Sequence, residues 1–439
     1  MTRVLGERSL VKALGVWGLA ASIINITVGG GIFRLPAAAA GALGPAAPLA
    51  YVVCAIAMGL IVVCFAEAGS RVALTGGLYA YVDVAFGPFV GFLSGVMLWA
   101  GISAATAAVS SFFADALGAL VPAIAAGTAR TITIIAVLAI LAAINIAGVR
   151  GASRFNALMT ISKLLPLLAL VVVGLGAMHA ANLRWTSTPA PTDVARASII
   201  TIFAFLGVET ALIPSGEVVD PARTVPRAIA IAMVGVTLLY LAVQIVTQGI
   251  LGPDLAAQKT PLAEAAARAI GRGGRPLILV GSAISMFGYV SGMILAGPRM
   301  LYAFGRDRFL PRHLAAIHPR FKTPYIAIVC HTMLIALFAV TGTFEKLAVI
   351  ANGSILLVYA ACCLAVIQLR RRNVQEGGAP FRAPFASVIP ILAVAIIAWL
   401  LTSLGADEWK ALLAVAGGAI VVFASSLPTR RTAAAEGQL

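Results

Sequence analysis

Three groups of residues in this chain sit uneasily in an apolar helix, and each could do chemistry. The first is Gly29-Gly30-Gly31-Ile32-Phe33, followed by Arg34 and Pro36. Three glycines inside a helix cost about 1 kcal/mol each relative to alanine. Close helix packing, the structural alternative, spreads small residues at i, i+4 rather than in one run. The run therefore reads as backbone unwound around a ligand, since freed backbone groups in lipid must find partners or line a cavity. The second group is Phe203-Ala204-Phe205-Leu206-Gly207-Val208-Glu209, with Pro214 and Gly216 behind it. A carboxylate in an apolar span costs a few kcal/mol at mid-bilayer on insertion scales, so Glu209 must pair or face a polar cavity. The third is Lys163, in the middle of the apolar stretch from Asn156 through Pro166. An ammonium there is expensive; the alternative is snorkelling to an interface.

These groups need long apolar elements to position them. A helix crosses the hydrocarbon layer in about 20 residues. Segments that meet this test lie at 13–40, 46–69, 84–112, 131–149, 155–178, 196–218, 227–251, 276–304, 324–342, 346–369, 385–404 and 409–427. The hairpin connections at 341–345 and 405–408 decide whether the count is twelve. Gly29 lies in the first segment and Phe203 in the sixth, five segments on, so the two breaks open the two halves of a repeat. Interrupted segments at corresponding places in two halves point to the central site of a transporter.

Composition excludes other classes. The 439 residues are 61% hydrophobic and 11% charged, against roughly 25% charged in a soluble domain, and mean hydropathy is +1.02. The net charge of +15 would suggest a nucleic-acid partner in a soluble protein. Here the basic residues gather in alternate loops, so topology explains it and no nucleic acid is implied. With the N-terminus cytoplasmic, the inside loops hold 20 Lys and Arg and the outside loops 9. The positive-inside rule then puts both termini in the cytoplasm of a multi-pass cell-membrane protein. No cleavable signal peptide is visible, because the first apolar segment is far too long for one. The five cysteines, Cys54, Cys64, Cys330, Cys362 and Cys363, contain no CxxC pair and read as buried thiols, with no metal site or disulfide framework. Of the four histidines only His331 lies in a span, with no acid near it in sequence, which argues against a membrane-embedded enzyme. A channel would show a filter loop or charged ring. No cofactor is implied, and oligomeric state is not legible.

Five motifs carry a resemblance. They are Gly29-Gly30-Gly31-Ile32-Phe33; Thr75-Gly76-Gly77-Leu78-Tyr79-Ala80-Tyr81 with Phe86-Gly87; the Phe203–Glu209 stretch; Asp220-Pro221-Ala222-Arg223-Thr224-Val225-Pro226-Arg227-Ala228-Ile229; and Arg299-Met300-Leu301-Tyr302 through Gly305-Arg306-Asp307-Arg308-Phe309-Leu310-Pro311. In this order over residues 29–311 the chain resembles the amino acid–polyamine–organocation superfamily of transporters. Arg308, where that family usually has glycine, and Asp220-Pro221, where it has Asn-Pro, are departures confined to loops. The resemblance implies an all-α polytopic membrane protein in one domain, 1–439. It implies a five-plus-five inverted repeat (LeuT-like) over 13–178 and 196–369, two added helices over 385–427, and substrate held between the first and sixth spans.

An amino acid offers a carboxylate and an ammonium. The carboxylate suits the free N–H groups and partial positive charge of a half-helix N-terminus, with the Gly30 and Gly31 amides as candidates and Gly29 and Ile32 as neighbouring substrate-site positions. The ammonium suits carbonyls at the second break, on Phe203, Ala204 and Leu206, with Thr27 as a further carbonyl and Phe205 and Gly207 as neighbouring substrate-site positions. The resemblance makes Phe203 an aromatic gate. It also makes Lys163 a coupling residue at the place where sodium-coupled relatives hold Na⁺, bridging the first and eighth spans. Glu209 is a proton-linked carboxylate or an anchor of the break. Ser285, Tyr289, Asn352, Ser354, Ile102 and Ser103 are candidates for the side-chain pocket, while Glu67, Asn145 and Asn156 read as structural bonding between helices. The expected activity is secondary transport by alternating access, as proton-coupled uptake of neutral or small amino acids, with amino acid/amine (polyamine) exchange as the alternative.

Overall fold

The computed structural model describes residues 15–72, 77–147, 152–185, 187–211, 218–321, 323–375, 379–383, 385 and 387–435. Among them the chain is all helix, with no β-strand. The motif residues Thr75 and Gly76, Pro214 and Gly216, and the side chain of Asn156 lie outside the described residues.

Each of the twelve apolar segments is occupied by helix. The first is a bent pair, α1 (Val16–Thr27) and α2 (Gly31–Leu43). Next come α3 (Pro48–Arg71), a short α4 (Leu78–Phe86), α5 (Pro88–Leu120), α6 (Gly127–Ala147) and α7 (Ala152–Gly174). The sixth segment is also interrupted, with α8 (Pro191–Thr201), a 3₁₀ turn Ile202–Phe205 and α9 (Val208–Ala211). Then follow α10 (Pro221–Leu251), α11 (Pro261–Ile270), α12 (Gly274–Arg306), α13 (Tyr325–Thr341), α14 (Phe344–Arg371), α15 (Val388–Leu401) and α16 (Ala406–Ala435). Among the described residues, seven helices are long and apolar enough to cross a membrane alone, and the bent α1–α2 pair makes an eighth. Both short connections in question are genuine breaks: α13 ends at Thr341 before α14 starts at Phe344, and α15 ends at Leu401 before α16 starts at Ala406.

Two helices fall outside the twelve segments. Gly77, at φ +58°, lets the chain turn into α4, and α11 buries Leu262, Ala263, Ala265 and Ala266 while keeping Glu264 and Arg268 outward. At nine and ten residues neither can span a bilayer. Helix α5 runs eight residues past its expected end at 112, and within that extension Asp115 is met by Arg130 at 2.9 Å.

Packing sets the halves against each other. The bent pair lies on the sixth segment, α1 against α9 and α2 against α8; α3 packs on α10, and α5 on α12 and α14. At the end of the bundle where α1 begins, Glu67 is fully buried. It accepts bonds from Arg71 (3.0 and 2.8 Å), from Arg370 (2.7 Å, with a second, shorter contact) and from the Ala383 amide at 2.9 Å. One carboxylate thus ties α3, α14 and the segment leading to α15; removing a partner of such a buried pair costs roughly 3–5 kcal/mol. Asn145 bonds within its own helix instead, to the Leu141 carbonyl at 2.8 Å. Four cysteines are buried as expected. Cys330 is exposed, a correction: α13 presents it on an outward face that also carries Val329, Met333 and Leu337.

Candidate functional site

Helix α1 stops at Thr27 and α2 restarts at Gly31 at an angle of 53°. Between them the Gly29 amide turns back to the Thr27 carbonyl (2.8 Å) and Phe33 bonds to Gly30 (3.2 Å). No side chain caps the start of α2, so its first amides are directed into the break with the positive end of the helix dipole behind them. The glycines are crowded as well as unwound. A Cβ on Gly29 would come within 3.1 Å of the Tyr289 ring. On Gly30 it would meet Met286 (2.9 Å) and Val109 (3.0 Å), and on Gly31 it would meet Phe203 (3.0 Å). Unwinding and close packing are both present.

The second break is built differently. The chain leaves α8 through the 3₁₀ turn, is extended at Leu206 and turns at Gly207 with φ +117°. Only glycine takes that conformation at low cost, and a Cβ there would lie 2.8 Å from Ile26, so the two breaks touch. Glu209 folds back on the turn. Its Oε2 accepts from the Gly207 amide at 2.9 Å and from the Tyr359 hydroxyl of α14 at 2.5 Å. The carboxylate is thus an anchor of the break in this conformation.

A single hydroxyl joins the two. Tyr240 of α10 lies 2.9 Å from both the Thr27 and the Ala204 carbonyl oxygens. These are two of the carbonyls assigned to an ammonium from sequence. Since one hydroxyl donates one proton, they retain acceptor capacity.

The other sequence candidates fall as follows. Phe203 sits against Gly31 and meets Phe344 edge-on at 5.6 Å, with Phe112 on the other side of Phe344 at 5.8 Å. Phe205 turns away, edge-on to Tyr240 at 5.2 Å. Ile32 is buried in the core. Tyr289 is half-buried over Gly29. The Ser285 hydroxyl reaches the Val28 and Gly29 carbonyls at 3.4 and 3.5 Å, so it serves the first break's main chain. Asn352 donates to the Ile199 carbonyl at the end of α8, and Ser354 is fully buried on the same helix. Ile102 is buried, and Ser103 donates to the Trp99 carbonyl at 2.7 Å, lower on α5 than the residues that reach the break. Those are Val109 and Phe112, which sequence reasoning missed together with Tyr240, Met286, Phe344 and Tyr359. Lys163 is 1% exposed, so it does not snorkel; its ammonium donates to the Asn25 carbonyl of α1 at 2.7 Å. That is one end of the anticipated bridge. Among the described residues no hydrogen bond joins it to α12, although α7 and α12 touch nearby, where a Cβ on Gly281 would lie 2.6 Å from Pro166.

At the breaks, amides and carbonyls free of helix pairing lie against Val109, Met286, Phe203 and Tyr289, a main-chain chemistry that suits a small dipolar molecule. A sequence model of the family described as amino acid permease matches residues 14–425. The chain belongs to the amino acid permease family. The permease is similar to three curated proteins of Bacillus subtilis (strain 168). It is 28% identical to the methylthioribose transporter, over 95% of this chain and 94% of the relative. It is 26% identical to the branched-chain amino acid permease BcaP, over 91% and 90%, and 30% identical to the serine/threonine exchanger SteT, over 89% and 90%. All three are transporters by name, and the permease is a multi-pass membrane transporter rather than an enzyme.

Proposed function

We propose that the permease moves neutral amino acids across the cell membrane by alternating access, binding the head group with the main chain of its two broken spans. One observation carries this reading: the uncapped start of α2 lies beside the 3₁₀ turn of the sixth segment, and the two breaks are in contact at Gly207–Ile26 and Gly31–Phe203. An anion on the Gly30 and Gly31 amides and an ammonium on nearby carbonyls would occupy both breaks at once. Apolar walls of Val109, Met286, Phe112 and Phe344 favour an uncharged side chain, and the carboxylate nearest the site, Glu209, is already occupied by Gly207 and Tyr359. The names of BcaP and SteT agree with a neutral substrate.

The five-plus-five inverted repeat, α1–α7 and α8–α14 with α15 and α16 added, belongs to the same reading. It is supported by the pairing of first span with sixth, second with seventh and third with eighth. Both termini are cytoplasmic in this reading, on the strength of the basic-residue bias. Coupling is assigned to protons through Lys163, whose buried ammonium holds the α1 carbonyl at Asn25. The test is purified permease in liposomes with radiolabelled amino acids and polyamines, with and without a pH gradient and internal substrate. Neutral amino acids taken up with an inward proton gradient and empty liposomes are the expected result. Uptake that requires internal substrate and ignores the gradient would replace coupling with exchange, and polyamine uptake alone would overturn the substrate class.

A further inference from the structure

One face of α10 carries more polar atoms than the protein around it satisfies. Tyr240, Gln244, Thr247 and Gln248 stand at i, i+4, i+7 and i+8, and each is buried. Helix α3, packed on α10, carries the buried Tyr51 one turn from Cys54, whose Sγ lies 3.3 Å from the Ser198 carbonyl of α8. Thr201 follows Ser198 one turn along α8. Helix α3 packs on both α8 and α10, so a seam along α3 has these two helices as its neighbours.

The side-chain atoms in this seam are unpartnered among the described residues: the hydroxyls of Tyr51, Ser198, Thr201 and Thr247, both amide atoms of Gln244, and Oε1 of Gln248. A buried polar atom left alone costs more than a typical hydrogen bond returns, and nearly all such atoms in folded proteins have a partner. One exception is ordinary. Seven atoms on α3 and the two helices packed against it mark a place that holds something polar, and lipid supplies nothing of the kind. A glutamine unpaired at both ends calls for a ligand that both donates and accepts.

We propose that the seam between α3, α8 and α10 is a water site, a hydrated inlet separate from the substrate's space and leading to Tyr240. A bound water makes about three hydrogen bonds, so a short row suffices. The seam starts where Gln248 bonds the Gly252 carbonyl (3.3 Å) at the end of α10. There a cavity of about 470 Å³, lined in part by Asn182, Ile250 and Leu251, meets the same helix end. It finishes at the Tyr240 hydroxyl on the Thr27 and Ala204 carbonyls. Water beside that hydroxyl gives it another acceptor, so it can release both carbonyls as an ammonium arrives; this last step rests on the substrate reading above, whereas the water site rests on the packing alone.

Radiolytic hydroxyl labelling of the full-length permease, read by mass spectrometry, tests it, because ordered water raises the oxidation of a tyrosine beside it. Tyr51 and Tyr240 are expected to oxidise several-fold faster than Tyr81 of α4, which is as deeply buried. Gln244→Met should lower that labelling at least twofold and leave the melting midpoint in place. Labelling equal to that of Tyr81 overturns the proposal. So does a Gln244→Met variant that melts earlier with labelling unchanged, for the amide would then be bonded in a dry seam. A failure of amino acid uptake by the unaltered permease would strike the substrate reading and leave the labelling result to stand.

Discussion

The two interrupted spans are opened by different means. At the first, three consecutive glycines have normal, negative backbone angles at the restart of the helix, Gly30 lying at φ −72°. What fixes them is what would meet a side chain: Tyr289, Met286, Val109 and Phe203, all from other helices. At the second, one glycine at φ +117° makes the turn, and a buried carboxylate and a tyrosine hold it. The first break is shaped by side chains of neighbouring elements, the second by its own backbone and a buried carboxyl group. Rocking that changes helix contacts will therefore reshape the first more easily than the second. If the proposed alternating access holds, the first break is its mobile partner and the second the fixed one.

Alanine at each break tests that difference, and the largest effect is expected at Gly207. A non-glycine residue held at such an angle costs on the order of 1–3 kcal/mol, and the new Cβ presses on Ile26. Gly207→Ala should lose at least tenfold in initial uptake rate and melt earlier by thermal-shift assay. Gly30→Ala keeps an ordinary backbone angle and meets only side chains, Met286 at 2.9 Å and Val109 at 3.0 Å, so uptake should fall only a few-fold. Gly30→Leu fills the break and should abolish uptake while membrane insertion stays intact. Normal transport by Gly30→Leu removes the backbone-binding reading; equal tolerance of alanine at both places removes the contrast.

Tyr359→Phe comes next. It takes one of two bonds from the carboxylate that holds the second turn, and bonds to charged groups contribute roughly 1.5–3 kcal/mol. The expected loss is about tenfold in maximal rate with a smaller change in KM, because the turn's shape and not the head-group contact is damaged. A change in KM alone would place Glu209 at the substrate and make the second break a contact surface.

The first break could be read from sequence because three glycines in a row have no other economical use inside an apolar segment. Glu209 and Lys163 were legible for the same reason: their types are costly where they stand. The residues that complete the site carry no such mark. Tyr240 and Tyr359 are tyrosines in ordinary spans, and Val109 and Met286 are the residues any apolar helix would contain; only the fold shows that they face Gly30 or the freed carbonyls. Helices α4 and α11 escaped because a nine- or ten-residue amphipathic helix has no spanning signal. Cys330 was misjudged because an apolar stretch in a membrane protein has an outward face as apolar as its core.

Lys163 distinguishes the breaks by position, since its ammonium reaches Asn25, two residues before the first, and has no counterpart shown at the second. Lys163→Ala should leave exchange measurable while removing the stimulation of uptake by an inward proton gradient. Unchanged gradient-driven uptake counts decisively against coupling at the first break.

The smallest effect is expected at Ser285. Its hydroxyl reaches two carbonyls freed by the first break, at 3.4 and 3.5 Å, both long for a hydroxyl donor. A bond of that length contributes less than the 0.5–1.5 kcal/mol of a well-formed one, and alanine leaves only a small gap. Ser285→Ala should therefore change KM by about twofold or less, with the melting midpoint unmoved. If the first break does reshape during the cycle, those distances shorten in another conformation and the loss will appear in the maximal rate instead. A measurable fall in rate at constant KM would place Ser285 among the groups that hold the mobile break in a state other than this one, whereas no effect on either parameter would leave the glycines and their neighbours as the whole of its support.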